Sequence, residues 1–192
     1  MAPSTLVDRH RFVTAFAPAS IGNVGVGFDM LGLALQGVGD RVSVRRRDDN
    51  GIVVAEVRAP DGKPHPELST QPERNTASIA AAALWHAAGV GGGLEIVVHK
   101  GIPLQSGMGS SAASAVAAVV AANALLESPF GILQLLTFAL EGEKFASGGL
   151  HADNVAPSLV GGLVLCPPAS LPETVSLKLP TGLSSVLLHP HL

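Results

Sequence analysis

One stretch constrains the fold of this chain more than any other: Gly-Ile-Pro-Leu-Gln-Ser-Gly-Met-Gly-Ser-Ser-Ala-Ala at residues 101–113. It follows an apolar run typical of a strand, Leu94–His99, and precedes an alanine-rich run typical of a helix, residues 110–126. The first N–H groups of a helix lack intrahelical partners and lie at the positive end of its dipole. Because glycines let an anion approach this backbone closely, the pattern predicts a phosphate-binding loop. The local sequence leaves open an alternative, a glycine-rich turn with a serine N-cap.

Composition and length indicate a packed chain with one domain, or one domain and part of another. Of the 192 residues 47% are hydrophobic and 14% charged, below the usual charged share of about 25%. The formal charge of −3 argues against nucleic acid as the main partner. The single Cys166 excludes an internal disulfide and is typical of a small buried hydrophobe in a reducing compartment. With no signal-peptide pattern and no apolar run long enough to span a membrane, we expect a soluble cytoplasmic protein.

The pattern of apolar residues predicts strands on both sides of a group of helices. Between the predicted strands 42–46 and 52–58, Asp49-Asn50-Gly51 predicts a hairpin turn. Regular alternation of strand and helix is missing, so an α+β fold is favoured over a doubly wound sheet. The predicted strands are 12–16 (ended by Pro18), 30–35, 42–46, 52–58, 94–99, 163–165, 175–179 and 185–188. The predicted helices are 75–88, 110–126, 130–146 and a short one that Asp153 caps and Gly161-Gly162 ends.

The loop differs from the two common phosphate-binding motifs. Ser110 follows Gly109 where a P-loop requires lysine, and the glycine spacing is not that of a dinucleotide fold. Backbone amides and serine hydroxyls would therefore form the cradle, with the Ser111 hydroxyl available to a phosphate-bound Mg²⁺. Glu143 is the preferred carboxylate for that ion and Glu141 the second choice. The two lie two residues apart on a helix, so they cannot face one site, and both being solvated surface residues is the alternative.

Three stretches in this order and spacing resemble the GHMP family of small-molecule kinases: residues 17–29 (Ala-Pro-Ala-Ser-Ile-Gly-Asn-Val-Gly-Val-Gly-Phe-Asp), 103–113, and 151–157 (His-Ala-Asp-Asn-Val-Ala-Pro) followed by Gly161-Gly162. The first and third are similar to members that act on the amino acid L-homoserine. The resemblance extends over nearly all of residues 12–189. It implies an N-terminal domain like the second domain of ribosomal protein S5, with a left-handed βαβ crossover, at residues 1–168. Residues 169–192 would be the first strands of an incomplete ferredoxin-like C-terminal domain.

The resemblance also implies transfer of the γ-phosphoryl group of ATP to the hydroxyl of L-homoserine. The ATP phosphates would lie on Pro103, Leu104, Gln105, Ser106, Gly107, Met108, Gly109, Ser110, Ser111, Ala112 and Ala113, with Asn75 near the nucleotide. Mg²⁺ would lie on Ser111 and Glu143. The amino acid would be lined by Asn23, Asp29, His151 and Asn154, with the Asp29 carboxylate suited to its ammonium group. Asn154 stands where some relatives have a carboxylate base, so we expect direct attack by a hydroxyl that Asn154 orients, while Asp153 is an N-cap.

Two features depart from the family pattern. No Gly-Ser-Gly-Pro motif follows residue 162, and no arginine follows Arg74 to bind the substrate carboxylate. We therefore expect the chain to be the N-terminal part of a longer kinase, with poor or no turnover by itself. The alternatives are a short nucleotide- or amino-acid-binding module without catalysis, and another kinase of the family, such as one acting on mevalonate or shikimate. A homodimer, or self-association through an exposed apolar face, is a further expectation.

Overall fold

The computed structural model describes residues 10–149, 151–182, 184 and 186. The strand predicted at 185–188 lies outside this part of the chain except for Val186, which is in no regular element. The strands are β1 Val13–Ile21, β2 Leu31–Arg47, β3 Ile52–Arg58, β4 Gly93–His99, β5 Leu163–Leu165 and β6 Val175–Leu177. The α-helices are α1 Thr76–Ala88, α2 Ser110–Asn123, α3 Ile132–Ser147 and α4 Ala152–Val160, and short 3₁₀ turns lie at Gly25–Met30, Pro72–Arg74 and Pro168–Ser170. The predicted α+β arrangement is confirmed.

One mixed sheet forms the framework, with strand order β3-β4-β2-β5-β6 and β1 paired with β2. Only β3 and β4 are parallel, and α1 connects them as a crossover. β5 pairs with β2 and β6 with β5, so the chain beyond residue 168 adds a strand to the same sheet. The division of the chain into domains at residue 168 stays a prediction.

The hairpin predicted at Asp49-Asn50-Gly51 is wrong, because β4 lies between β2 and β3 and pairs with both. The turn crosses over the start of β4 instead. There the Leu94 N–H donates to the Gly51 carbonyl at 3.1 Å. A Cβ on Gly93 would lie 1.9 Å from that carbonyl oxygen, so glycine is what lets the two backbones cross.

β1 and β2 are both longer than their predictions. Pro18 does not end β1, which continues to Ile21 through a register shift between Pro18 and Ser20. An irregularity of this kind accommodates a residue without an N–H donor. The separate strands predicted at 30–35 and 42–46 are two parts of one 17-residue strand, β2.

The core lies between the sheet and the helices, and α2 is its centre. Alanine and valine make up most of α2, and eleven of its side chains are buried. These small side chains let α1, α3 and α4 pack closely around it, against the apolar face of the sheet. Trp85 is buried and its Nε1 donates to the Gly92 carbonyl at 2.9 Å, so it packs in the core. In the described part of the chain no helix is long and apolar enough to cross a membrane.

Candidate functional site

A cleft of about 600 Å³ opens above the connection from β4 to α2, which we call the Gly-Ser loop (residues 100–109). The loop, the N-terminal ends of α1 and α2, the last turns of α3 and the first turn of α4 contribute to its walls. The lining residues are Leu68, Arg74, Asn75, Thr76, Val98, Lys100, Leu104–Ser111, Ser114, Glu143, Phe145, Ala146 and Asn154. The fold thus brings the predicted loop, Asn75, Glu143 and Asn154 into one cavity.

The loop has the backbone of an anion cradle. Gly107 and Gly109 have φ of +70° and +63°, which side chains disfavour. A Cβ on Gly109 would also lie 2.3 Å from Ser20 Oγ and 2.9 Å from Asn154 Oδ1. The N-cap of α2 is Gly109 and makes no side-chain capping bond, so the alternative of a serine cap is not seen. The first N–H groups of α2 therefore stay available to a ligand, next to the buried and unpartnered Ser110 Oγ.

Three of the predicted loop residues, Pro103, Ala112 and Ala113, take no direct part in the cleft wall. Ala112 and Ala113 have fully buried side chains in the core, and they belong to the first turn of α2. Pro103 precedes the lining residues and accepts a hydrogen bond from Ser106 Oγ at 2.7 Å, which closes the loop on itself.

Ser111 and Glu143 meet at the edge of the cleft. Ser111 Oγ donates to Glu143 Oε2 at 2.7 Å, and the Glu143 side chain is only 5% exposed. Burial raises the pKa of Glu143, while the hydrogen bond from Ser111 lowers it. Among the residues that the structure describes, no lysine or arginine forms an ion pair with this carboxylate. A hydroxyl and a carboxylate without a lysine or arginine partner are a donor pair that suits Mg²⁺.

Glu141 has a different environment from Glu143. It is exposed on the opposite side of α3 and lines a separate cavity with His86 and Ile79. The prediction that the two carboxylates cannot face one site is therefore confirmed. No group of three or more His, Cys, Asp or Glu side chains in the described ranges could hold a metal. An ion bound jointly with nucleotide phosphates needs only one or two carboxylates.

Asn75 is the N-cap of α1. Its Oδ1 accepts from the Ala77 N–H at 3.1 Å and its Nδ2 donates to the Ser69 carbonyl at 3.0 Å. The side chain therefore fixes the start of α1 beside the cleft. Its predicted proximity to a nucleotide stays a prediction.

Asp153 is not the N-cap of α4, contrary to expectation, because the helix begins at Ala152 and His151 takes the cap position. The Asp153 side chain is fully buried. Its Oδ2 accepts from the Asn23 N–H at 2.9 Å, whereas Oδ1 has no partner among the described atoms. Burial raises the pKa of Asp153, and the Asn23 N–H and His151 oppose that shift. A Cβ on Gly22 would lie 2.3 Å from Oδ2, so glycine makes room for this contact.

Asn154 joins the first and third of the stretches that carry the family resemblance. Its Oδ1 accepts from Ser20 Oγ at 3.1 Å, and the side chain lines the cleft beside Gly109. Asn23, Asp29 and His151 lie outside the cleft lining, and Asn23 and Asp29 are exposed. Asp29 and His151 are close enough to Asp153 to shift its pKa in opposite directions, which places these groups around one buried carboxylate.

Sequence reasoning missed two charged residues beneath the loop, Asp40 and Lys100. Both are buried, and they form an ion pair. The only signal was a lysine directly after an apolar strand, since the partner lies 60 positions earlier. Cys166 is buried as expected, and burial raises the pKa of its thiol to about 11, which keeps the thiol protonated and unreactive.

Residues 75–162 match the family model described as GHMP kinases N terminal domain. This segment contains the four α-helices, β4 and the Gly-Ser loop. Residues 75–162 are therefore similar to a GHMP kinase N-terminal domain, and the resemblance derived from the three sequence stretches is confirmed.

Several similar relatives are homoserine kinases. The chain is 48% identical over 176 residues to the homoserine kinase of Xylella fastidiosa (strain M12), an alignment that covers 92% of this chain and 52% of that protein. The crystal structure of homoserine kinase from Cytophaga hutchinsonii matches with a TM-score of 0.80 and 42% identity, over 88% of this chain and 52% of that one. The Methanococcus jannaschii mevalonate kinase, at 13% identity and a TM-score of 0.65, shares the fold. The chain spans about half the length of the curated relatives it matches.

Proposed function

We propose that this chain is the nucleotide-binding part of a cytoplasmic homoserine kinase, which transfers the γ-phosphoryl group of ATP to the side-chain hydroxyl of L-homoserine in threonine biosynthesis. The observation that carries the proposal is the hydrogen bond from Ser111 Oγ to Glu143 Oε2, at 2.7 Å. This pair lies at the edge of a cleft that is lined by the glycines of the loop and by Asn154. The 48% identity to a homoserine kinase supports the choice of acceptor.

The loop would bind the nucleotide phosphates through backbone N–H groups at the start of α2 and through the serine hydroxyls. Ser111 and Glu143 would hold Mg²⁺, which when bound supplies positive charge to the phosphates. The Glu143 carboxylate accepts one hydrogen bond in the described structure and has unused lone pairs for such an ion.

L-homoserine would lie against Asn154, His151, Asn23 and Asp29, with the Asp29 carboxylate on its ammonium group. The substrate hydroxyl oxygen forms a bond to the γ-phosphorus while the bond to the β–γ bridging oxygen breaks and ADP leaves with that electron pair. Asn154 would orient the hydroxyl, and its proton passes to phosphate or water. Asp153 is engaged with the Asn23 N–H and fully buried, so the reaction is assigned no carboxylate base.

Nucleotide binding is tested on the 192-residue chain by calorimetry with MgATP. We expect Glu143→Gln and Ser111→Ala each to weaken MgATP binding by about tenfold or more, because each removes an oxygen atom that would coordinate the Mg²⁺ ion. Glu141→Gln is the matched control, since it makes the same change on the exposed side of the same helix. Equal affinities of all three variants and the unchanged chain would contradict the assignment of Glu143.

Turnover is tested in a chimera in which this chain replaces the aligned 176 residues of the Xylella fastidiosa relative. We expect ADP release with L-homoserine and not with threonine, mevalonate or shikimate, and little or no release from the 192-residue chain alone. A chimera that folds and binds MgATP but uses a different acceptor would overturn the proposed substrate. One that binds and uses none would favour a binding module.

The same chimera tests the absence of a carboxylate base. Asp153→Asn is expected to retain most of kcat, whereas Asn154→Ala loses most of it. If Asp153→Asn lost most of kcat with ATP and homoserine binding intact, direct attack without a base would be wrong.

A further inference from the structure

A buried polar network lies beneath the Gly-Ser loop. Its centre is Asp40 of β2, whose side chain has no exposed surface. Asp40 Oδ1 accepts from the backbone N–H groups of Gly101 at 2.9 Å and Ile102 at 3.2 Å. Asp40 Oδ2 accepts from Lys100 Nζ and, at 2.7 Å, from Ser114 Oγ. Four donors therefore converge on one carboxylate, which is nearly all that it can accept.

Lys100 lies at the floor of the cleft, yet its ammonium group is fully engaged. An ammonium has three N–H donors. Besides Asp40, they reach the Ser110 carbonyl at 2.9 Å and Ser114 Oγ at 2.8 Å. The Lys100 side chain is 3% exposed. No donor of this lysine is left for a phosphate in the cleft.

The network joins the two ends of the loop. Asp40 binds the residues at which the loop begins, Gly101 and Ile102, and Lys100 binds the carbonyl of Ser110, at which α2 begins. Ser114, one turn into α2, connects both charges. A buried ion pair contributes little net stability by comparison with apolar residues of the same size. We therefore look for its role in the single loop conformation that its hydrogen bonds allow.

We propose that Asp40, Lys100 and Ser114 form a clamp that holds the Gly-Ser loop in its phosphate-binding geometry before any ligand arrives, with Lys100 a positioning residue and not a phosphate ligand. That the loop binds a nucleotide phosphate rests on the proposed function. The clamp itself rests only on the hydrogen bonds described above. The competing role for Lys100 is that of a P-loop lysine, which contacts phosphate directly.

Ser114 gives the cleanest test, because Lys100→Met would leave the Asp40 charge buried and unpaired and endanger the fold. Ser114→Ala removes one connection and frees one N–H of Lys100. Ser114→Thr restores the hydroxyl at the expense of an extra methyl group in a packed helix. Ser158→Ala is the matched control: Ser158 is also buried in a helix, and it donates at 2.7 Å to a backbone carbonyl of β1, that of Pro18.

The first measurement is amide hydrogen exchange of the 192-residue chain without nucleotide. For Ser114→Ala we expect exchange in peptides covering 101–110 to accelerate about tenfold, since a hydrogen bond to a charged group is lost there. Ser158→Ala and Ser114→Thr should leave those peptides at the rate of the unchanged chain. Unaltered loop exchange in Ser114→Ala would overturn the clamp.

The second measurement is MgATP affinity, at a temperature where all variants are folded. The clamp predicts about tenfold weaker binding for Ser114→Ala, recovery in Ser114→Thr, and no change in Ser158→Ala. If Lys100 contacted phosphate directly, the N–H freed in Ser114→Ala would leave binding equal or tighter, and the positioning role would be overturned. If the unchanged chain bound no MgATP, the proposed function would fail, while hydrogen exchange would still decide the clamp.

Discussion

Two buried carboxylates lie next to the Gly-Ser loop and its helix and have opposite environments. Asp40, below the loop, is paired with Lys100 and accepts three further hydrogen bonds. Glu143, at the edge of the cleft, accepts one, from Ser111. Lys100 thus neutralises the carboxylate that shapes the loop, whereas within the described residues the carboxylate that faces the cleft has no lysine or arginine partner. The difference indicates which carboxylate is structural and which is kept for a cation.

Removing the charge partner of Asp40 should have the largest effect. Lys100→Met is expected to lower the free energy of unfolding by about 3–5 kcal/mol, because an uncompensated charge stays buried. Denaturant unfolding followed by circular dichroism measures it. Glu95→Gln breaks the more exposed Arg45–Glu95 pair and should cost less than about 1 kcal/mol. Similar costs for the two variants would show that Asp40 is not held by its partner.

Alanine substitutions at two glycines of the loop, Gly107 and Gly109, distinguish the cost of backbone strain from the cost of steric contact with neighbouring side chains. Both have positive φ, so alanine at either should cost about 1 kcal/mol from the backbone. Gly109→Ala should cost about 1–3 kcal/mol more, because its Cβ meets Ser20 Oγ at 2.3 Å, whereas nothing lies within 4 Å of a Cβ on Gly107. Thermal unfolding compares the pair. Equal losses would mean that Ser20 and Asn154 move aside easily.

The stability losses of two serine substitutions compare the floor of the cleft, at Ser114, with its edge, at Ser111. Ser114→Ala is expected to cost about 1.5–3 kcal/mol, since its hydroxyl joins two buried charges. Ser111→Ala should cost less than about 1 kcal/mol, because water entering the open cleft can replace its hydrogen bond to Glu143. A larger loss for Ser111 in denaturant unfolding would reverse the assignment of the two regions.

The smallest effect, and one of opposite sign, is expected at Glu143. Burial raises its pKa in the folded chain, so between the unfolded and folded pKa values the folded chain holds more protons. Stability from this group is therefore present at low pH and is lost as pH rises through the folded pKa. Glu143→Gln should stabilise the chain by about 1 kcal/mol at pH 7 and by less near pH 4. A variant that is less stable at pH 7 would indicate a protein cation beside Glu143.

Much of the fold was predictable because it depends on residues adjacent in sequence. The start of α1 and the ends of α3 and α4 follow from Asn75, Gly148 and Gly161, which act within one turn of their helices. The hairpin at residues 49–51 was a local signal too, and it was wrong because β4, more than forty residues later, inserts between the two strands. Local turn chemistry cannot report which strand becomes the neighbour.

In the candidate site, too, the features set by neighbouring residues were predictable and those set by distant residues were not. The glycines and serines of the loop predicted an anion cradle, and the pairing of Glu143 with Ser111 was implied by family resemblance. The position of Asp153 was not predictable from its cap-like place before a helix. Its side chain turns to a backbone N–H 130 positions away, at Asn23. The Asp40–Lys100 pair is equally non-local, and an acidic residue between two strand segments carries no mark of its partner.

By itself, then, the sequence determined where the loop must turn, since Gly107 and Gly109 have positive φ angles that favour glycine, and where its helix begins. Tertiary structure alone decided which of the acidic residues is neutralised within the protein and which is left facing the cleft. The physical reason is that the free energy of a carboxylate depends on burial and on partners within a few ångströms. In this fold the carboxylates and their partners come from β2, the Gly-Ser loop, α2 and α3, which only packing brings together.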